Sequence, residues 1–237
     1  MVLLGVIVNT LAIIVGTLIG LCFANIPEGM KSTVLKVLGI AVVVLGMGMA
    51  FEAEYFLNVL FSVVFGAILG EWLKVEDHLE RLGQWIEHKA GKHRGNVAKA
   101  FVTTTLIFTI GAMSVIGSLN SGLNLDHDVL YTKAFLDGFV SIIFASTLGI
   151  GVIFSAIPVF VYQGALALFA TTIDQWLTPE LLERLVNDIT ATGGILIIGI
   201  GLNLLEVTKL KVGNLLPALV VAVLVGIGVY MVQGLMG

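Results

Sequence analysis

Few side chains in this sequence are placed to do chemistry, and Asp137 is the foremost. It lies four positions after Lys133 and is followed by Gly138 and Ser141, all within a run of apolar residues. A carboxylate in a hydrocarbon-spanning helix costs roughly 2.5–3.5 kcal/mol on insertion scales, so it must face protein or a water-filled cavity. Two roles suit it there. It can bind a cation or a proton, titrating as access alternates between the two sides. It can instead form a structural pair with Lys133, whose long stem snorkels outward. Lys before Asp is the weaker order for an i,i+4 pair on an isolated helix, which tilts the reading toward binding.

Uncharged polar residues recur at membrane depth. They are Asn9, Thr10 and Thr17, then Thr103, Thr104, Thr105 and Thr109, Ser146 and Thr147, Tyr162 and Gln163, and finally Asn203 and Asn214. The candidate substrate or ion pathway is therefore Asp137 with Asn9, Gln163, Asn203 and Asn214. Interhelical hydrogen bonding at packed small-residue contacts is the competing role for the same side chains. No Gly-x-Ser-x-Gly, His-Glu-x-x-His, cysteine pair or phosphate-cradling loop is present, so no enzyme, cofactor or resident metal is expected. His127 stands between Asp126 and Asp128. That trio offers ligands to a divalent cation, but carboxylates ahead of a helix serve as N-caps, and capping is the expectation. His78, His88 and His93 fall in a hydrophilic stretch and read as solvated surface, while Cys22 reads as a small packing residue.

The elements that hold these residues are apolar helices. Of 237 residues, 58% are hydrophobic and 12% charged, against about 45–50% and 25% in a soluble domain. The net charge of -4 argues against a nucleic-acid partner. A span needs roughly 20 apolar residues, which predicts an all-α polytopic integral membrane protein with about eight transmembrane helices. They lie near 2–24, 34–51, 55–73, 101–119, 132–153, 157–173, 190–206 and 212–233, within one integral membrane domain over 1–237. The first segment has no basic n-region and no cleavage site, and reads as a retained helix. The run 132–173 is too long for one crossing, so a boundary is expected near Pro158. A re-entrant hairpin is the alternative there. Gly111, Gly117 and Gly122 surround a Ser/Asn-rich end of the fourth span, an expected unwound stretch.

Six of the twelve Lys and Arg residues fall in the segment 74–100. Basic loops stay in the cytoplasm. With eight spans, ten basic residues share one side and only Lys133 and Arg184 the other, which puts both termini outside the cytoplasm. Inside that loop Trp72, Val75, Leu79, Leu82 and Ile86 recur at helical spacing. They predict an amphipathic helix continuing from the third span, lying on the inner leaflet or serving a homodimer. A weak internal repeat also emerges: Pro27-Glu28 followed by Val42–Met49, and Pro179-Glu180 followed by Ile195–Leu202. Spans 1–3 would match spans 6–8 in opposite orientation, an inverted repeat of the kind transporters use.

Several motifs carry a family resemblance: Leu130-Tyr131-Thr132-Lys133, Leu136-Asp137-Gly138, Ser146-Thr147-Leu148-Gly149, Tyr162-Gln163-Gly164, Gly199-Ile200-Gly201-Leu202-Asn203 and Val212-Gly213-Asn214. With them the whole chain resembles the bacterial membrane-protein family catalogued as domain of unknown function 554, the YqgA/YdfK group. The resemblance implies a bacterial cytoplasmic (inner) membrane location, with the lipid bilayer as partner, and names no substrate. The expected function is movement of a small solute or ion. A non-transporting scaffold or regulatory subunit acting through the amphipathic helix is the alternative.

Overall fold

Long runs of Leu, Val, Ile, Ala and Gly leave the backbone one way to satisfy itself in hydrocarbon, the α-helix. The computed structural model describes residues 1–23, 27–90 and 97–236, and these are helical with no strand among them. In chain order the helices are α1 (Leu4–Cys22), α2 (Glu28–Ala50), α3 (Phe56–Leu73), α4 (Val75–Ala90), α5 (Val97–Thr109), α6 (Ala112–Leu123) and α7 (Asp128–Leu148). After a 3₁₀ segment (Ile150–Ser155) come α8 (Ala156–Leu168), α9 (Ala170–Trp176) and α10 (Pro179–Leu204). A second 3₁₀ turn (Val212–Leu215) leads into α11 (Pro217–Met236). Seven helical segments are long and apolar enough to cross a membrane, or eight if the bent pair α5–α6 makes one crossing. Large apolar side chains such as Phe61, Phe65, Phe135 and Phe139 are exposed, while Asp137, Asn9 and Gln163 are buried. That distribution suits lipid as the solvent.

Four boundaries differ from the sequence reading. The polar stretch after Thr178, expected to lie outside the span near 190–206, forms the first turns of α10, which runs unbroken for 26 residues. No proline interrupts it between Glu180 and Ile195, and Arg184, Asp188, Thr190 and Thr192 turn inward while Glu180 and Glu183 stay exposed. Likewise Glu28 opens the same helix that fills the second span. The amphipathic segment does not continue α3: Lys74 adopts φ 51° and ends that helix before α4 begins. The break in the run 132–173 falls at Gly149, with φ 84°, a left-handed value that glycine tolerates. Pro158 sits in the first turn of α8, where a missing N–H leaves no bond unmade. Lys92 and Arg94 of the basic loop lie outside the described residues.

The chain forms two compact units. The first comprises Met1–Leu35 and Leu79–Ile173, the second Lys36–His78 and Asp174–Gly237. In the first, α1 lies directly on α7. A Cβ at Gly16 would strike the Gly138 carbonyl oxygen, and one at Gly20 the Ile142 carbonyl oxygen, so glycine is what lets the two backbones touch. Gly5 meets Leu130, Gly16 meets Gly138 and Ser141, and Gly20 meets Ala145. Contacts that rise together along both chains mean the helices run parallel. In the second unit Gly39 meets Gly201 and Gly46 meets Gly194, so α2 and α10 run antiparallel. Gly66 meets Ala218 and Gly70 meets Asn214, giving α3 and α11 the same relation.

Helix direction bears on the bent pair. With α2 and α3 each crossing once, α1 and α7 can run parallel only if α5 and α6 together make a third crossing. Under that condition the 61° bend between them lies within a broken span.

The α1–α7 contact is testable. Gly16→Val should destabilise the purified protein in detergent by an overpacking penalty of about 1–3 kcal/mol, read as a lower melting temperature. A Cβ at Gly48 meets nothing within 4 Å, so Gly48→Ala should be neutral or stabilising. An unchanged melting temperature for Gly16→Val would show that the two backbones do not touch.

Candidate functional site

The first unit gathers its polar side chains around the middle of α7. Lys133 and Asp137 stand one turn apart on this helix, and both are 6% exposed. The Lys133 ammonium lies 3.0 Å from Oδ1 and 2.9 Å from Oδ2 of Asp137, so the pair is closed despite its unfavourable order. From α1, Asn9 Nδ2 donates to Asp137 Oδ2 at 3.1 Å and to Gln163 Oε1 of α8 at 3.1 Å. Gln163 Nε2 in turn donates to Ser114 Oγ of α6 at 3.3 Å. The Ser114 hydroxyl donates to the Phe108 carbonyl at 3.0 Å.

That last bond explains why the chain of polar groups ends where it does. The Gly111 backbone, at φ 130°, ends α5 and leaves its final carbonyls without helical partners. Ser114, in the first turn of α6, supplies one of the missing donors. The break in the fourth span and the buried ion pair are thus joined through Asn9 and Gln163 into a single hydrogen-bonded path across α7, α1, α8, α6 and the end of α5.

Not every buried atom on this path is satisfied. Asn9 Oδ1, Thr105 Oγ1 and Ser141 Oγ are buried without a hydrogen-bond partner. An unpaired buried polar group costs about 1–3 kcal/mol, and such groups mark places where a water, ion or ligand is accommodated. Ser141 lies one helical turn beyond Asp137.

Of the five residues singled out in the sequence, Asn9, Asp137 and Gln163 come together in this cluster. Asn203 and Asn214 belong to the second unit, where the Asn203 amide closes a turn and the Asn214 amide joins its segment to Glu71 of α3 and Glu76 of α4. Asn203 Oδ1 accepts from Thr208 Oγ1 and Leu210 N–H, both at 2.9 Å, and its Nδ2 donates to the Leu210 carbonyl at 2.7 Å. Asn214 accepts from the Glu76 N–H at 2.7 Å and donates to Glu71 at 2.6 Å. Lys133 and Ser114 complete the cluster. Sequence reasoning weighed Lys133 only as a partner and passed over Ser114, although its place just after Gly111 was the available signal. It also passed over Asp188, four positions after Arg184, which repeats the Lys133–Asp137 spacing.

Beside His127 a single carboxylate, that of Asp126, accepts from the backbone at the start of α7. Asp126 Oδ1 accepts from the Asp128 N–H at 3.0 Å, and His127 Nδ1 lies 2.8 Å from Ser121 Oγ. No group of three or more His, Cys, Asp or Glu suited to a metal occurs among the described residues.

The family model described as "Protein of unknown function (DUF554)" matches residues 4–227. The chain is 33% identical over 222 residues to the "Uncharacterized membrane protein YdfK" of Bacillus subtilis (strain 168), covering 92% of this chain and 93% of that protein. It is 27% identical over 226 residues to the "Uncharacterized protein YqgA" of Escherichia coli (strain K12), covering 92% and 94%. No solved structure matches.

Removing one partner of a buried ion pair strands the other charge, at about 3–5 kcal/mol, whereas replacing both by apolar residues is often neutral. Lys133→Met alone should therefore destabilise strongly, and Lys133→Met with Asp137→Leu should recover most of the loss. Thermal unfolding of the two single variants, the double variant and the parent in detergent checks this. Strictly additive losses would mean that the pair is not formed.

Proposed function

We propose that this chain, which belongs to the DUF554 family of membrane proteins of unknown function, moves a small solute or ion across the bacterial cytoplasmic membrane. Its binding and relay site is the Lys133–Asp137–Asn9–Gln163–Ser114 path. The observation that carries this reading is a buried ionisable pair hydrogen-bonded to the break of a discontinuous span. Ionisable residues inside spanning helices mark pathways, and broken helices at mid-membrane supply free backbone groups to bound ions and substrates.

The pairing narrows the chemistry. Lys133 already neutralises Asp137, so a cation must displace the ammonium rather than add to it. A proton or a solute carrying its own ammonium group matches that exchange. Displaced from the carboxylate, Lys133 reaches outward along α7, and the unpartnered oxygens of Asn9 and Ser141 receive the solute. The bend at Gly111 gives α6 a hinge by which the hydrogen bond from Gln163 is made and released as access alternates. No enzymatic role is proposed.

Both termini are proposed to face away from the cytoplasm, with α4 on the inner leaflet. The charge bias supports this, since Lys133 and Arg184, the two basic residues of the opposing side, are buried in α7 and α10 and not in loops. The inverted relation of spans 1–3 to spans 6–8 remains part of the proposal. The reciprocal glycine contacts between α2 and α10 are consistent with it.

In proteoliposomes assayed by solid-supported-membrane electrophysiology against a panel of monovalent cations and small amines, Asp137→Asn should reduce solute-driven current at least tenfold. Full current in that variant would remove Asp137 from the mechanism, and silence of the parent across the panel would favour a scaffold role. Reporter fusions at the two ends should both be active on the outer side, and a cytoplasmic signal from either end would overturn the orientation.

A further inference from the structure

The second unit repeats the constellation of the first with one difference. In α10, Arg184 and Asp188 stand five and nine positions after the first residue, Pro179, as Lys133 and Asp137 stand after Asp128 in α7. A further turn along each helix comes a hydroxyl, Thr192 in α10 and Ser141 in α7. Both are fully buried, and both lack a hydrogen-bond partner. An asparagine from another helix donates to each carboxylate: Asn9 to Asp137 at 3.1 Å, and Asn58 of α3 to Asp188 at 3.5 Å.

The difference is the ion pair. Lys133 closes on Asp137, but Arg184 turns away from Asp188. Its Nη1 donates to Gln233 Oε1 of α11 at 2.6 Å, and its guanidinium lies 4.8 Å from the centre of the Tyr55 ring. Its Nε has no partner. Asp188 is 1% exposed, and its carboxylate keeps one long hydrogen bond among the described residues. A buried carboxylate needs several donors or a cation to offset lost hydration. On the α11 side Gly226 brings backbone close, since a Cβ there would lie 3.1 Å from Asp188 Oδ2. No side chain from that position offers the missing donor.

We infer that Asp188 and Thr192, with Asn58 holding the carboxylate, form a site for a hard monovalent cation of the sodium class, separate from the Lys133–Asp137 path. The donors are oxygens, a carboxylate and a hydroxyl on successive turns of one helix, which suit a hard cation. The charged side chains acting on the site are Asp188, Arg184 and Glu54, two acidic and one basic. That balance favours one positive charge and rejects an anion. A divalent ion would require further carboxylates, and no cluster of three metal-ligating side chains exists among the described residues. In the first unit the same arrangement already contains its cation, the Lys133 ammonium. In the second, a free ion takes that place. This inference stands on the α10 geometry alone and does not depend on the transport reading.

Equilibrium binding of radioactive sodium to the purified full-length protein in detergent tests it, with potassium and choline at equal ionic strength as competitors. Saturable sodium binding should weaken at least tenfold in Asp188→Asn and in Thr192→Val, and persist in Gly48→Ala, whose added Cβ meets nothing within 4 Å. Thr192→Val keeps shape and charge, which guards against an Asp188→Asn variant that fails to fold. The absence of saturable binding, binding untouched by both α10 variants, or a response to protons alone would each overturn the site.

Discussion

The Lys133–Asp137 pair organises the first unit because hydrocarbon offers no hydrogen-bonding partner to a charge. An ammonium and a carboxylate at this depth must be satisfied by protein or leave the helix interior. The pair satisfies most of itself, and Asn9 contributes the further donor that a carboxylate requires. Asn9 can do so only because α1 lies against α7, and its amide then fixes Gln163. Through Gln163 and Ser114 the demand reaches the broken end of α5, whose freed carbonyls have the same need. One requirement, that a buried charge and a broken helix end each find hydrogen-bond partners, thus ties five helical segments together.

Close approach is the condition for that network, and small residues provide it. Gly16 and Gly20 on α1 lie against backbone carbonyls of α7, as Gly39 and Gly46 lie against α10. In lipid, apolar side chains gain little by leaving the solvent for a neighbouring helix. Association rests instead on backbone proximity and on hydrogen bonds between helices. The same contacts reveal helix direction. If α2 and α3 each cross once, that direction requires the bent pair α5–α6 to be a span interrupted at Gly111. The interruption and the buried charges then stand within one hydrogen-bonded path.

The two units present one design in a closed and an open form. A basic residue, a carboxylate one turn on, a bare hydroxyl one turn further and an asparagine from a neighbouring helix occur in both. In α7 the lysine bends back onto the carboxylate. In α10 the guanidinium, planar and suited to stacking, is drawn off by Tyr55 and Gln233. Arg and Lys are not interchangeable here: the ammonium, a point charge on a flexible stem, folds onto its own helix, whereas the guanidinium finds an amide and an aromatic face.

Much of this was legible along the chain. Apolar runs of span length, the spacing of Lys133 and Asp137, the glycines near the fourth span and the Asp126 carboxylate beside His127 are all local features, governed by helical period and by turn chemistry. What was misread locally had a physical cause as well. Polar residues before Ile195 read as a loop because hydropathy cannot distinguish a polar face turned to water from one turned inward, and Arg184 was counted as a loop charge for the same reason. Which side chains meet is another matter. Asn9 and Gln163 are 154 positions apart, and Asn203 and Asn214 looked equally suited to join them. Only the rotation of each helix about its axis, set by which small residues let backbones touch, decides that Asn9 turns to Asp137 while Asn203 closes a turn and Asn214 bonds to Glu71 and Glu76. The sequence determined the helices, their length and the charges they carry. The tertiary structure alone decided which buried charges are satisfied, because satisfaction depends on donors supplied by distant helices.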